Sequence, residues 1–149
     1  MLVTVDVIIN KPKELVWNAI TDIENSDAMI SSIITLNVLH KPSQGLDGLK
    51  WEETREMFGK EAKETMWITD SADNKYYCTR AENHGSVYIT KLSVNDNENG
   101  TLLSMSFNGI AQTQTAKILS FLMSPFIKKS IKKALTSDLQ DIKMFVEKG

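Results

Sequence analysis

Along residues 3–9 apolar side chains alternate with Thr4 and Asp6, a period of two that predicts a β-strand. The period then changes. Leu15, Val16, Ala19, Ile20 and Ile23 recur at helical spacing behind Asn10-Lys11-Pro12. That triplet supplies a cap and a proline, which a helix tolerates only in its first turn, so a helix is predicted over residues 12–22. A second short helix is predicted over 24–30. From Ile33 onward alternation returns, with strands predicted at 33–40, 49–58, 61–69, 75–82, 86–94 and 102–111. Asn, Asp and Gly cluster in the breaks, as at Asn83-His84-Gly85, and a tight turn is predicted at Phe58-Gly59-Lys60. Connections this short favour an antiparallel meander.

The last third is helical again. Ile127, Ile131, Leu135, Leu139, Ile142 and Val146 lie three or four residues apart and form one apolar stripe. Lys128, Lys129, Lys132 and Lys133 occupy its flank. This helix is predicted to begin near Gln114, with Pro125 starting it afresh or kinking it. The layout is therefore α+β, β-α-α-β6-α: seven strands in a curved antiparallel sheet and one long C-terminal helix. The helix must bury its stripe, and one face of the sheet is the only surface large enough. A strongly bent sheet around a helix leaves a cavity between them.

The strand at 50–57 poses a chemical question. Trp51, Glu53, Arg55 and Met57 share one face, while Lys50, Glu52, Thr54 and Glu56 form a solvent face. A face that holds Trp51 and Met57 is expected to point inward, and a buried charge is expensive unless paired or wet. One reading is a structural ion pair between Arg55 and a neighbouring carboxylate, Glu53 or Glu64. Another is that the charges hold the polar end of an apolar ligand. A catalytic Glu53 is the weakest of the three, because an acid needs a raised pKa and Arg55 beside it would lower it. The same parity argument turns Ala62, Glu64, Met66 and Ile68 inward, then Tyr77, Thr79 and Ala81, with Tyr76 and Cys78 as the competing set. Tyr88, Thr90 and Leu92 follow, and then Leu103, Met105 and Phe107. The candidate pocket is Trp51, Glu53, Arg55, Met57, Glu64, Met66, Tyr77, Thr79, Tyr88, Met105, Phe107 and Phe121. Tyrosine hydroxyls and several methionines suit an adaptable lining with few polar groups.

Composition narrows the classes. A chain of 149 residues with 42% apolar positions can bury a core as a single domain without staples. A net charge of −2 offers no basic face for nucleic acid. Cys78, the single cysteine, excludes an internal disulfide and suits a reducing, cytoplasmic address. The N-terminal stretch alternates and carries Asp6, so it reads as a strand and not as a signal peptide. No apolar run approaches the roughly 20 residues that span a bilayer, and no stable membrane insertion is expected. The state expected is a monomer or weak homodimer.

Enzyme signatures are sparse. His40 and His84 fall in or beside turns without metal-ligand spacing, and Cys78 has no sequence neighbour that would lower its pKa. There is no G-x-S-x-G, H-E-x-x-H or phosphate-binding glycine loop, so neither metal nor cofactor is expected. The run 118–127 reads either as a helix start that fills the core beside the pocket or as an apolar lid that touches an anionic membrane through the four lysines.

The phrases VIINKPKELVWNAITDIEN, GLKWEETREMFGKEA and SPFIKKSIKKALTSDLQDIKMFVE, in this order, resemble the START-like (SRPBCC) superfamily. Its members include polyketide cyclases and dehydratases, plant pathogenesis-related allergens and lipid-transfer domains. The resemblance covers nearly the whole chain and implies a helix-grip fold with a cavity between sheet and long helix. Many relatives carry a tryptophan after the first helix pair, where this chain has Asp27-Ala28-Met29-Ile30. The function expected is the binding of a hydrophobic or amphipathic small molecule such as a lipid, polyketide or isoprenoid. The alternatives are a cyclase or dehydratase that uses a cavity carboxylate or tyrosine, and a protein-interaction module of the chaperone-activator type.

Overall fold

The computed structural model describes residues 2–57 and 59–149, with the side chain of Met123 also outside the described set. Phe58, with which the predicted hairpin turn begins, lies outside the described residues. Gly59 at φ +76° and the start of the next strand at Lys60 lie within them.

Strand β1 (Leu2–Ile9) leads into helix α1 (Lys13–Thr21) and a short 3-10 helix (Ile23–Ala28). Six strands follow: β2 (Ile33–His40), β3 (Lys50–Met57), β4 (Lys60–Ala72), β5 (Tyr76–Asn83), β6 (Ser86–Asn97) and β7 (Gly100–Ala111). Helix α2 (Gln114–Lys148) closes the chain. The seven strands form one sheet in the order β1-β7-β6-β5-β4-β3-β2, and every neighbouring pair is antiparallel. Register shifts in β2–β3 and at Ile68/Asp70 in β4–β5 are the irregularities that bend such a sheet. The fold is thus the helix-grip arrangement expected from the sequence, a curved antiparallel sheet with a long C-terminal helix.

Three local expectations need correction. Pro12, extended at φ −61° and ψ 152°, is itself the N-cap of α1 and no side chain caps the helix. Asn10 instead donates its backbone N–H to Glu147 Oε2 at 2.8 Å, which ties the end of β1 to the last turn of α2. The second helix is a 3-10 segment that stops at Ala28 rather than a helix over 24–30, in keeping with the short polar side chains of Asn25 and Ser26. Ser26 Oγ bonds the Ile23 carbonyl at 2.8 Å and Asn25 bonds Asp22, local pairings that compete with a longer helix. Helix α2 does not start afresh at Pro125, one of the two alternatives expected there, and its start is where the sequence placed it. It begins at Gln114, where Thr113 Oγ1 accepts from Ala116 N at 3.1 Å, and runs through the proline as one element.

The core lies where α1 and α2 meet the sheet. It joins Val3, Val5 and Ile9 of β1, Val16, Trp17 and Ile20 of α1, Leu103 of β7, and Ile131, Leu135, Leu139, Ile142 and Val146 of α2. The β6–β7 turn tucks beneath the end of β1. Gly100, at φ +129°, leaves no room for a Cβ against the Ile9 carbonyl and the Asn10–Lys11 backbone. Polar bonds hold α2 down along its C-terminal half. Ser31 donates its backbone N–H and its hydroxyl to Asp141 Oδ2 at 2.9 and 2.8 Å, and Lys143 Nζ donates to the Ile8 carbonyl.

Candidate ligand-binding cavity

Strand parity and the grip of α2 together create an open space of about 1300 Å³ between the inner face of the sheet and the helix. Residues of β3 (Trp51, Glu53, Arg55, Met57), β4 (Ala62, Glu64, Met66), β5 (Tyr77, Thr79), β6 (Tyr88, Thr90, Leu92) and β7 (Met105, Phe107) border it. Ile20, Ile23 and Met29 come from the α1 side, and Ile127, Ile131, Leu135 and Asp138 from α2. Every residue singled out from the sequence as a pocket candidate borders this one space. Phe121 does so only at its edge, with 83% of its surface exposed, because it precedes the part of α2 that packs on the sheet. In β5 the buried set is Tyr77, Thr79 and Ala81, so Tyr76 and Cys78 face the other way.

The charges on β3 have a structural answer. Trp51, Glu53 and Arg55 occupy positions i, i+2 and i+4 of one strand face, close enough to bond in series. Trp51 Nε1 donates to Glu53 Oε1 at 3.0 Å, and Arg55 Nε donates to Glu53 Oε2 at 3.0 Å. The other side of the guanidinium reaches across to α2, where Arg55 Nη1 meets Asp138 Oδ2 at 3.0 Å. Ser32 Oγ adds a bond to Asp138 Oδ1 at 3.3 Å. One cation therefore sits between two buried carboxylates, and the network fastens the sheet to the long helix. Burial pushes the Asp138 carboxyl up, against the pull of Arg55 and Ser32.

Glu64 was one of the two carboxylates expected to partner Arg55. The structure gives that role to Glu53 and adds Asp138, which the sequence reading missed. Its signal was present: Asp138 lies three residues after Leu135 and four before Ile142, a carboxylate at stripe spacing. Such a residue must find a partner on whatever the stripe covers, and Arg55 is that partner.

Glu64 has a different setting. It stands directly opposite Glu53 in the β3–β4 register, half-buried, and its side chain is hydrogen-bonded by Asn83. Burial raises its pKa and the charge of Glu53 raises it further, while Arg55, His84 and Asn83 oppose the shift. His84, in the β5–β6 turn at φ +50°, also borders the space, a placement the sequence did not disclose. Tyr77 is wholly committed: its hydroxyl donates to the Ile20 carbonyl at 3.1 Å, its ring meets Trp17 edge-on, and burial followed by the Glu53 charge pushes its pKa up. Tyr88 stacks on Phe107 with ring centroids 5.6 Å apart, which makes one wall flat and aromatic. Among the described residues no group of three His, Cys, Asp or Glu side chains is arranged to hold a metal ion. Among the same residues no helix is long and apolar enough to cross a membrane.

No protein-family model and no curated protein sequence matches this chain. Solved structures do. A START superfamily protein from Mycobacterium smegmatis superimposes with a TM-score of 0.82 at 16% identity, over 99% of this chain and 97% of that one. Zhui aromatase/cyclase from Streptomyces sp. R1128 gives 0.76 at 13% identity, over 99% of this chain and 93% of that one. Ara h 8.0201 gives 0.76 at 12% identity, over 100% and 99%. At such identities the likeness is one of architecture, and it agrees with the element order, the sheet topology and the position of α2: this chain has the START-like helix-grip fold.

Proposed function

We propose that this protein binds a hydrophobic or amphipathic small molecule, of lipid, polyketide or isoprenoid type, in the space between the sheet and α2. The observation that carries the reading is the composition of the lining. Trp51, Met66, Tyr88, Leu92, Met105 and Phe107 present aromatic, aliphatic and thioether surface, and Glu53, Arg55, Glu64 and Asp138 are among the polar groups that interrupt it. Ligand sites have this make-up, a mostly apolar concavity with a few convergent polar groups. Methionines add a wall that adapts to shape. The single cysteine, Cys78, favours a cytoplasmic address for this activity.

Arg55 is a poor anchor for an acidic ligand head. Its Nε and Nη1 already serve Glu53 and Asp138, and the cluster as a whole is not positive. The structural ion pair is therefore the better reading of Glu53 and Arg55. A cyclase or dehydratase activity remains the second reading, on one observation: Glu64 is a cavity carboxyl whose pKa burial moves upward, the direction a general acid requires.

Nile red, an uncharged dye that brightens in apolar surroundings, is expected to bind the parent protein. Met105→Trp, which adds volume at a partly buried lining position on β7, is expected to abolish the signal while the circular dichroism spectrum stays that of the folded protein. A folded Met105→Trp variant that brightens the dye as well as the parent would place binding elsewhere. Native mass spectrometry of protein purified from its own host then gives the mass of any ligand that copurifies.

A further inference from the structure

The polar groups in the lining do not share one fate. Both oxygens of Glu53 are occupied, one by Trp51 and one by Arg55, and the guanidinium is shared onward to Asp138. Glu64 lies outside this chain of bonds. The register sets it against Glu53, a pairing of like charges that a sheet disfavours, with Asn83 as its hydrogen-bonding neighbour and His84 beside it. All three border the same space as the stacked Tyr88 and Phe107.

We propose that Glu64, flanked by Asn83 and His84, donates a hydrogen bond into the space and so selects uncharged, oxygen-bearing apolar ligands, a ketone in preference to a carboxylate. The inference rests on the binding reading above and adds the class of ligand. A carboxylic acid has one O–H donor, whereas its ionised form only accepts. Facing Glu64 are Glu53 and Arg55 from β3 and His84 from the β5–β6 turn, and Asp138 and Lys117 of α2 and Lys60 and Glu61 of β4 border the same space. With Arg55 held between two carboxylates, the nearest charge across the strand pair is the negative Glu53. Burial and that charge push Glu64 toward the protonated acid against the pull of Arg55, His84 and Asn83, and a carboxylate ligand would enter against the same negative charge.

Three probes of one shape separate the alternatives: 2-acetonaphthone (ketone), 2-naphthoate (carboxylate) and 2-ethylnaphthalene (hydrocarbon), each titrated by displacement of Nile red. The parent is expected to bind the ketone about tenfold more tightly than the hydrocarbon, the worth of one hydrogen bond in a poorly solvated place, and the carboxylate most weakly. The ketone preference is expected to fade as rising pH ionises Glu64. Glu64→Gln keeps an N–H donor, so it should hold the preference and make it flat with pH. Glu64→Met should erase the preference, so that ketone and hydrocarbon bind with equal affinity. A carboxylate that binds most tightly, an identical ranking in parent and Glu64→Met, or a pH dependence that survives in Glu64→Gln and so belongs to His84 would each overturn the proposal. A hydrocarbon that binds the parent and is excluded by Met105→Trp, with no ketone advantage, removes the Glu64 inference alone. A hydrocarbon that fails to bind the parent, or that Met105→Trp does not exclude, removes the cavity reading and this inference with it.

Discussion

The segments of α2 before and after Pro125 are comparably rich in large apolar side chains and bury them to different extents, although Phe126, Met144 and Phe145 of the second are also exposed. After Pro125, Ile131, Leu135, Leu139, Ile142 and Val146 are buried against β1 and the rest of the core, with Leu139 only 1% exposed. Before it, Ile118, Leu119, Phe121 and Leu122 stand largely in solvent, as does Phe126 just beyond. Spacing accounts for part of the contrast. The buried set recurs every three or four residues and makes a single stripe, whereas Ile118, Leu122 and Phe126, also four apart, fall on a different side of the helix. Anchoring accounts for the rest. Asp138, Asp141, Lys143 and Glu147 bond to Arg55, Ser31, the Ile8 carbonyl and the Asn10 amide, all in the second half. The first half is held chiefly by its Thr113 cap and the Gly85 carbonyl, which accepts from Gln112 and Thr113. Apolar composition alone therefore does not bury a helix. An opposing surface and a few well-placed polar bonds do.

The contrast can be broken most forcefully at its anchor. Arg55→Met keeps an unbranched apolar stem and leaves Glu53 and Asp138 as two buried carboxylates without their cation. It should destabilise the fold by about 3–5 kcal/mol in urea unfolding. A change within experimental error would mean that the network does not fasten the sheet to the helix.

A matched substitution then compares the two halves directly. Leu139→Ala should cost about 2–5 kcal/mol, the range for a buried leucine that leaves a cavity. Pro125 marks the boundary between the halves. It has no amide hydrogen for the Phe121 carbonyl four residues back, so Pro125→Ala should stabilise the helix by about 1–3 kcal/mol. A loss of stability there would show that the proline serves the packing on either side. The smallest effect belongs to Leu122→Ala, expected to change stability by less than about 0.5 kcal/mol because the side chain is already hydrated. Equal losses at Leu122 and Leu139 would remove the distinction between the halves.

Much of the architecture was legible in the sequence for a definite reason. Each strand is half-buried, and a half-buried strand writes its orientation into alternating residues. Trp51, Glu53, Arg55 and Met57 could be assigned to one face without coordinates, whereas in β5 alternation alone left Tyr76 and Cys78 competing with Tyr77 and Thr79, and packing made the choice. The buried stripe of α2 was legible through the same logic at helical period. Less clear were features set by contacts between distant segments. Asn10 looks like a helix cap and is instead bonded to Glu147, 137 residues away. Phe121 looks like core and borders the space from outside, because nothing in its own neighbourhood states where the sheet ends.

The sequence by itself determined most of the residues that face inward, since that follows from the period of each element and from the energetic cost of hydrating apolar surface. Only the tertiary structure decided who meets whom inside. Strand register set Glu64 against Glu53, and the grip of α2 carried Asp138 to Arg55 across 83 residues of chain. Periodicity fixes a direction for each side chain but not a distance between two elements. The balance of charge in the cavity depends on those distances, and it is the balance of charge that separates a site for a ketone from a site for an acid.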